Sequence, residues 1–312
     1  MSEFSHVSVL RNEAVEALKI FPGGVYLDGT AGGGGHSYEI ASRLGAEGRL
    51  ISLDRDEAAV AAASARLADF PNAEVVRANY ENFDRVLDER GIALVDGILL
   101  DIGVSSPQID EAERGFSYMH DGPLDMRMDR DESLSAADII ADYPADELTR
   151  IFREYGEERF AKRIADRIVR EREKAPIGTT LQLAKIVEQA VPAAKKRDGH
   201  PAKRVFQALR IECNRELDIL SNTVDRMIGR LAPGGRLAII TFHSLEDRIV
   251  KQAFRTQEDP CTCPPDFPVC VCGKVSAGRA VTRKPVVPTE EECKANPRAA
   301  SAKLRVFEKK QQ

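Results

Sequence analysis

Five glycines crowd into the seven residues 29–35, directly after the apolar run Val25-Tyr26-Leu27-Asp28. Glycine accepts positive φ and lets a backbone approach another group closely. A glycine run placed after a short apolar segment and before a helix reads as a strand–loop–helix unit whose unpaired amides form a polar cradle. That unit restricts the chain to α/β folds that hold a nucleotide-like ligand at the carboxyl end of the first strand.

The rest of the chain keeps this rhythm. Strand-like runs at 49–54, 73–77, 95–100 and 236–242 alternate with helix-forming stretches, among them the alanine-rich 57–67. The alternation predicts a doubly wound parallel sheet. It breaks off between Ile102 and about Pro201, where a polar loop at 105–131 precedes helical segments at 136–140, 145–155, 159–174 and 180–189. With no strand-like run among them, these predict a small helical domain inserted into the sheet domain. The expected division is a discontinuous sheet domain, 1–110 with 202–312, and an insertion, 111–201. Helix resumes over 203–227, Pro233-Gly234-Gly235 turns the chain, 257–296 reads as a long loop, and 303–308 as a closing edge strand.

Composition narrows the function classes. A hydrophobic content of 43% over 312 residues is enough for a core of its own. No run reaches the 18 or so apolar residues of a membrane-spanning helix, and the start lacks a secretory pattern, which predicts a cytoplasmic protein with no membrane partner. The net charge of -5 conceals 17 Lys or Arg against 9 Asp or Glu between Arg150 and Arg215, and 13 against 7 from Arg248 onward. Those regions can face phosphate, with ordinary solvated helix faces as the other reading. Four of the six cysteines form two C-x-C pairs, Cys261 with Cys263 and Cys270 with Cys272. This spacing is tighter than that of usual structural zinc sites, which favours a loop without a constitutive metal and leaves zinc as the alternative.

Around the glycine loop, the lysine of a P-loop is missing and the G-x-G-x-x-G pattern fails at its middle glycine. Asp54 ends the second strand about twenty residues after the loop, where a carboxylate can accept from both ribose hydroxyls of a nucleoside. Nicotinamide or flavin enzymes and S-adenosylmethionine-dependent methyltransferases share that placement. Asp101-Ile102-Gly103-Val104-Ser105-Ser106-Pro107-Gln108 adds a carboxylate, two hydroxyls and an amide after the fourth strand, a set that suits group transfer to an amine. Helix capping by Asp101, and local amide satisfaction by Ser105 and Ser106, are the structural alternatives.

These blocks, with others in order along nearly the whole chain, resemble the bacterial small-subunit ribosomal RNA N4-cytosine methyltransferases of the RsmH (MraW) type. The others are His6-Val7-Ser8-Val9-Leu10, Glu113-Arg114-Gly115-Phe116-Ser117, Gly122-Pro123-Leu124-Asp125-Met126-Arg127-Met128-Asp129, Tyr155-Gly156-Glu157-Glu158-Arg159, Phe206-Gln207-Ala208-Leu209-Arg210, Thr241-Phe242-His243-Ser244-Leu245-Glu246 and Asn296-Pro297-Arg298-Ala299. The resemblance implies a Rossmann-like class I methyltransferase sheet domain with an inserted helical, substrate-recognising domain. It implies S-adenosyl-L-methionine as cofactor and cytidine 1402 of 16S rRNA as acceptor, met in the 30S particle, with a homodimer left open.

Carried over by position, Gly34, Gly35 and His36 would line the methionine end of the donor and Asp54 its ribose. Tyr80, where many members have phenylalanine, would lie on the adenine, and Asp101 and Gln108 would complete the donor pocket. Asp101 would also touch the reacting amine and His243 would take its proton, a structural histidine being the other reading. Ser105 and Ser106 would face the acceptor, Phe116 and Tyr118 would stack on it, as could Phe206, for which core packing is the favoured reading, and Arg127, Arg204 and Arg210 would meet phosphates. A nicotinamide-dependent oxidoreductase and a nucleotide-binding domain without catalysis are the rival functions.

Overall fold

The computed structural model describes residues 8–192, 200–264, 269 and 271–311, so His6, Val7 and Cys270 lie outside the described residues. The strands are β1 (Val25–Asp28), β2 (Arg49–Asp54), β3 (Ala73–Arg77), β4 (Val95–Asp101), β5 (Leu231–Thr241), β6 (Gly278–Ala280) and β7 (Lys303–Lys309). The helices are α1 (Arg11–Ala17), α2 (Gly35–Ala41), α3 (Glu57–Arg66), α4 (Phe83–Asp88), α5 (Ser106–Asp110), α6 (Ala136–Asp142), α7 (Ala145–Glu154), α8 (Ala161–Arg172), α9 (Thr180–Ala190), α10 (Ala202–Asn214), α11 (Glu216–Gly229), α12 (Ser244–Glu258) and α13 (Glu290–Ala295).

Two compact units result, Met1–Gly103 with Leu217–Gln312, and Val104–Glu216. The first holds a seven-stranded sheet in the order β3-β2-β1-β4-β5-β7-β6. Strands β1 to β5 pair in parallel, and β7 runs antiparallel to both β5 and β6. This is the Rossmann-like methyltransferase sheet that the resemblance implies. Helices cover both faces, which is why the strands read as continuous apolar runs rather than as an alternation. Leu27, Ile51, Ile98 and Ile239 are buried on one face with Phe83 and Phe307, and Tyr26, Leu50, Leu99 and Ile240 on the other. Each such side chain contributes about 1.5–3 kcal/mol. Asp56 starts α3 by accepting from the Ala58 amide at 3.0 Å, and the helix turns the small residues Ala59 and Ala63 inward.

Among its described residues the second unit is built of helices, with one isolated bridge between Pro123 and Thr179. Leu148, Ile151 and Phe152 make an i, i+3, i+4 stripe on α7, and Ala161, Ile164 and Ala165 repeat it on α8, with Ile168 one turn on. With Leu183 and Val187 of α9 and Val205, Phe206 and Leu209 of α10 they form one core. Thr179 and Gln182 cap α9 reciprocally.

Several expectations need correction. The units divide at Val104 and Glu216, so α10 belongs to the helical unit. The helix expected over 203–227 is broken at Arg215, whose φ of 51° ends α10. Nothing in local composition announces that break, because arginine is a good helix former and rarely adopts such a φ. The loop expected at 105–131 contains α5 and a short turn of helix at Ala112–Arg114, and 257–296 contains β6 and α13. β7 is no edge strand: β6 covers its outer side. Gly278-Arg279-Ala280 is too short to give a strand pattern. Among the described residues no helix is long and apolar enough to cross a membrane.

Candidate active site

In the sheet unit the glycine loop joins β1 to α2, and its shape follows from what surrounds it. Gly32 and Gly34 adopt φ of 50° and 74°. A Cβ on Gly34 would lie 3.1 Å from Ala63 Cα, and one on Gly35 would collide with the Ser8 hydroxyl. The inward alanine of α3 is therefore the counterpart of Gly34. A Cβ on Gly32 would meet nothing within 4 Å, so the open side of the loop is there.

Acidic groups gather at the carboxyl ends of β1, β2 and β4. Asp28 is buried and accepts from the Ser37 hydroxyl at 2.6 Å and the Thr30 amide at 3.1 Å. Burial still pushes it up to about 6. Asp54 accepts from the Gly32 amide at 2.8 Å and the Asp56 amide at 2.9 Å, and burial raises it as well. Its carboxylate is thus pinned to the open side of the loop. Each oxygen keeps a lone pair for another donor.

Asp101 ends β4, held by its own amide donating to Thr30 Oγ1 at 2.6 Å. Its Oδ2 lies 3.6 Å from His36 Nδ1, while His36 Nε2 is 3.2 Å from the Val9 carbonyl. Its Oδ1 is buried with no hydrogen-bond partner among the described residues. Burial, then the charges of Asp28 and Glu246, push the Asp101 carboxyl up to about 8. A cluster of carboxylates this rich, with an orphaned oxygen, favours a cationic ligand, since an unpaired buried polar atom costs about 1–3 kcal/mol.

On the neighbouring strand end, His243 precedes α12. Its Nε2 is 2.9 Å from Glu246 Oε1, while Glu246 Oε2 accepts from the Phe242 amide at 2.8 Å. That close contact lacks hydrogen-bond geometry, and both imidazole nitrogens are buried without a hydrogen-bond partner among the described residues. Tyr80 follows β3 at the start of a short helical turn and packs against the sheet core. Gly34, Gly35, His36, Asp54, Tyr80, Asp101 and His243 thus all lie in the sheet unit. Thr30, Ser37 and Glu246 complete their network. Sequence inspection missed these three, which are ordinary polar residues until the fold brings them to the carboxylates.

The remaining candidates lie in the helical unit, where several have local roles. Ser105 caps α5: the Gln108 amide donates to its hydroxyl at 3.4 Å and the Ser105 amide donates to Gln108 Oε1 at 3.0 Å. Ser106 is the first residue of that helix. Phe116 is buried in the helical core, with the Arg114 guanidinium 5.8 Å from its ring centre. Tyr118 stacks on His200 at 4.6 Å and meets Phe206, itself buried, edge-on.

Of the arginines, Arg127 makes a bidentate pair with Asp125 at 2.7 and 3.0 Å and donates to the Arg130 and Glu132 carbonyls. Burial pushes Asp125 up, but the Arg127 hydrogen bonds and charge win and hold it below the usual carboxylate range. Arg210 pairs bidentately with Glu216 at 2.8 Å. Arg204 is the exposed one, with a long 3.5 Å bond to the Glu157 carbonyl and Glu158 3.9 Å away. Asn214, not singled out in the sequence, clamps the same loop: it accepts from the Met128 amide and donates to the Met126 carbonyl, both at 2.8 Å. Met126 needs that support, having a φ of 60°.

The family model described as the MraW methylase family matches residues 3–310. "Ribosomal RNA small subunit methyltransferase H" of Lachnospira eligens is 58% identical over 98% of this chain and 98% of that protein. The protein of the same name from Symbiobacterium thermophilum is 55% identical over 99% and 98%. Among solved structures, an rRNA methylase from Streptococcus thermophilus aligns at 13% identity and a TM-score of 0.42 over 96% of this chain and 94% of that one.

Proposed function

Because this chain belongs to the MraW methylase family, we propose that it transfers a methyl group from S-adenosylmethionine to the N4 amine of a cytidine in 16S rRNA, namely cytidine 1402. The setting is the cytoplasm and the substrate the RNA within the 30S particle. The observation that carries the reading is the carboxylate cluster at the carboxyl ends of β1, β2 and β4, with the orphaned Asp101 oxygen. This donor set fits a ligand that bears a ribose and a cationic amino-acid end.

Asp54 would accept from the ribose hydroxyls and the ring of Tyr80 would lie on the adenine. The Gly34-Gly35-His36 turn would enclose the methionine end, with Asp101 Oδ1 accepting from its ammonium. The donor supplies an electrophilic methyl on a sulfonium, which passes by in-line displacement to the acceptor nitrogen. A cytosine amine is a weak nucleophile because its lone pair is delocalised into the ring. A carboxylate or imidazole accepting one N–H stabilises the positive charge that grows on nitrogen. His243 is suited to that proton, since it stands just past the end of β5 with both ring nitrogens buried and no hydrogen-bond partner for them among the described residues.

On the RNA side, Arg204 is the arginine of the three with an exposed, loosely held guanidinium, and it would meet phosphate. The local bonds of Arg127, Arg210, Ser105 and Phe116 support a role for them in shaping the helical unit that presents Arg204. Equilibrium binding tests the reading against a nicotinamide enzyme. S-adenosylhomocysteine should bind and NAD should not; the reverse order overturns the proposal.

A further inference from the structure

Between α12 and β6 the chain makes a long excursion whose base is pinned. The Ala277 amide donates to the Gln257 carbonyl at 2.9 Å, and the Lys310 amide to the Ala277 carbonyl at 2.9 Å. Its described residues form no helix or strand after Glu258 and before Gly278. Its described valines bury little apolar surface, Val269, Val271 and Val275 being 70%, 71% and 76% exposed. Such a segment has no hydrophobic reason to hold one conformation. Yet the Sγ atoms of Cys261, Cys263 and Cys272 converge to within 4.8 Å of one another, in a residue type that is normally buried.

The distances select among the uses of converging thiols. Cys261 and Cys272 Sγ are 3.9 Å apart. A disulfide needs about 2.05 Å. Sulfurs at about 2.3 Å from a tetrahedral zinc ion lie about 3.8 Å from each other. The Val271 amide donates to Cys263 Sγ at 3.3 Å, the kind of outer hydrogen bond that stabilises a metal-bound thiolate. Spacing alone favoured a metal-free loop, because C-x-C is a tight bite. The third sulfur, nine residues on from Cys263, is what the fold adds.

We propose that Cys261, Cys263 and Cys272 bind one zinc ion as thiolates and that the ion fixes this loop in place of a hydrophobic core. Three zinc–sulfur bonds form, three thiol protons pass to solvent, no electrons change hands, and a further ligand completes the tetrahedron. The site is remote in role from methyl transfer, so its loss acts on the loop and leaves the donor site intact.

The test uses the full chain purified under reducing conditions. Elemental analysis should find one zinc per chain, falling to none in Cys263→Ser and unchanged in Cys293→Ser. Cobalt loaded in its place should show a thiolate charge-transfer band and the visible bands of tetrahedral coordination. On the wild-type chain, zinc should protect Cys261, Cys263 and Cys272 from alkylation until a chelator is added, while Cys293 is labelled throughout. This second readout does not depend on the variant folding. Absence of metal in excess zinc, a cobalt spectrum without thiolate bands, alkylation indifferent to chelator, or a two-hydrogen mass loss marking a Cys261–Cys272 disulfide would each overturn the proposal.

Discussion

Replacing Asp101 by asparagine removes a titration while keeping the shape of the side chain, and the consequence for donor binding can be worked out. The wild-type carboxyl is raised from 3.8 to about 8 by burial, then by Asp28 and Glu246. Through the neutral range it therefore carries a proton, and a cationic amino group can be accepted only after that proton leaves. Each pH step of one below about 8 should weaken wild-type donor binding about tenfold, or about 1.4 kcal/mol. Asparagine offers a neutral acceptor instead, a loss of about 1–2 kcal/mol and roughly 5- to 30-fold relative to the ionised carboxylate, with no dependence on pH.

The two affinities should thus cross near pH 7. At about pH 6 the variant should bind S-adenosylhomocysteine several-fold tighter than wild type. Calorimetry between about pH 5.5 and 7.5, where the ligand's own amine stays charged, reads this directly. Two buffers of different ionisation enthalpy should add about one proton released per wild-type binding event and none for the variant. A flat wild-type profile, or an equal slope in Asp101→Asn, would refute the assignment of Asp101 to the ammonium.

The same carboxyl makes a stability prediction. Its folded pKa lies above the unfolded one, so its contribution is greatest below about pH 4 and is lost as pH rises toward 8, with a ceiling of about 4 kcal/mol at pH 7. The melting-temperature advantage of Asp101→Asn should widen from pH 5 to 7, and a constant gap would contradict it. Gly34→Ala combines a left-handed backbone with contact against Ala63 Cα and should cost about 2–4 kcal/mol in urea unfolding, whereas Gly32→Ala, with open space, should cost about 1–2. Equal costs would mean that the contact with α3 does not shape the loop. Arg204→Ala should lower the salt dependence of RNA binding by about one ion without a stability change, while Arg127→Ala should unfold about 1–3 kcal/mol more easily by stranding Asp125. Loss of RNA affinity in Arg127→Ala at unchanged stability would restore it as a phosphate contact.

The sheet was legible because its evidence in the chain is local: apolar runs buried on both faces, a glycine turn, an acid closing β2. The helical insertion was legible for the same reason, its stripes on α7 and α8 being regular. What escaped was set by how irregular segments fold, not by any periodic pattern. Arg127 and Phe116 look like surface groups until Asp125, Asn214 and Arg114 gather around their loop. Arg215 ends a helix by a backbone angle that its side chain does not reveal, and three thiols meet across a segment with no periodicity at all. Asp101 stood out by position, but only the buried neighbours Asp28 and Glu246 show why it should hold a proton.

The central claim is settled by mapping modified nucleosides. Small-subunit particles from cells lacking this activity would be incubated with the chain and isotopically labelled S-adenosylmethionine, and the RNA digested and resolved by mass. Label in N4-methylcytidine, mapped to position 1402, is the result expected. Label in another nucleoside, or none despite donor binding, would contradict it.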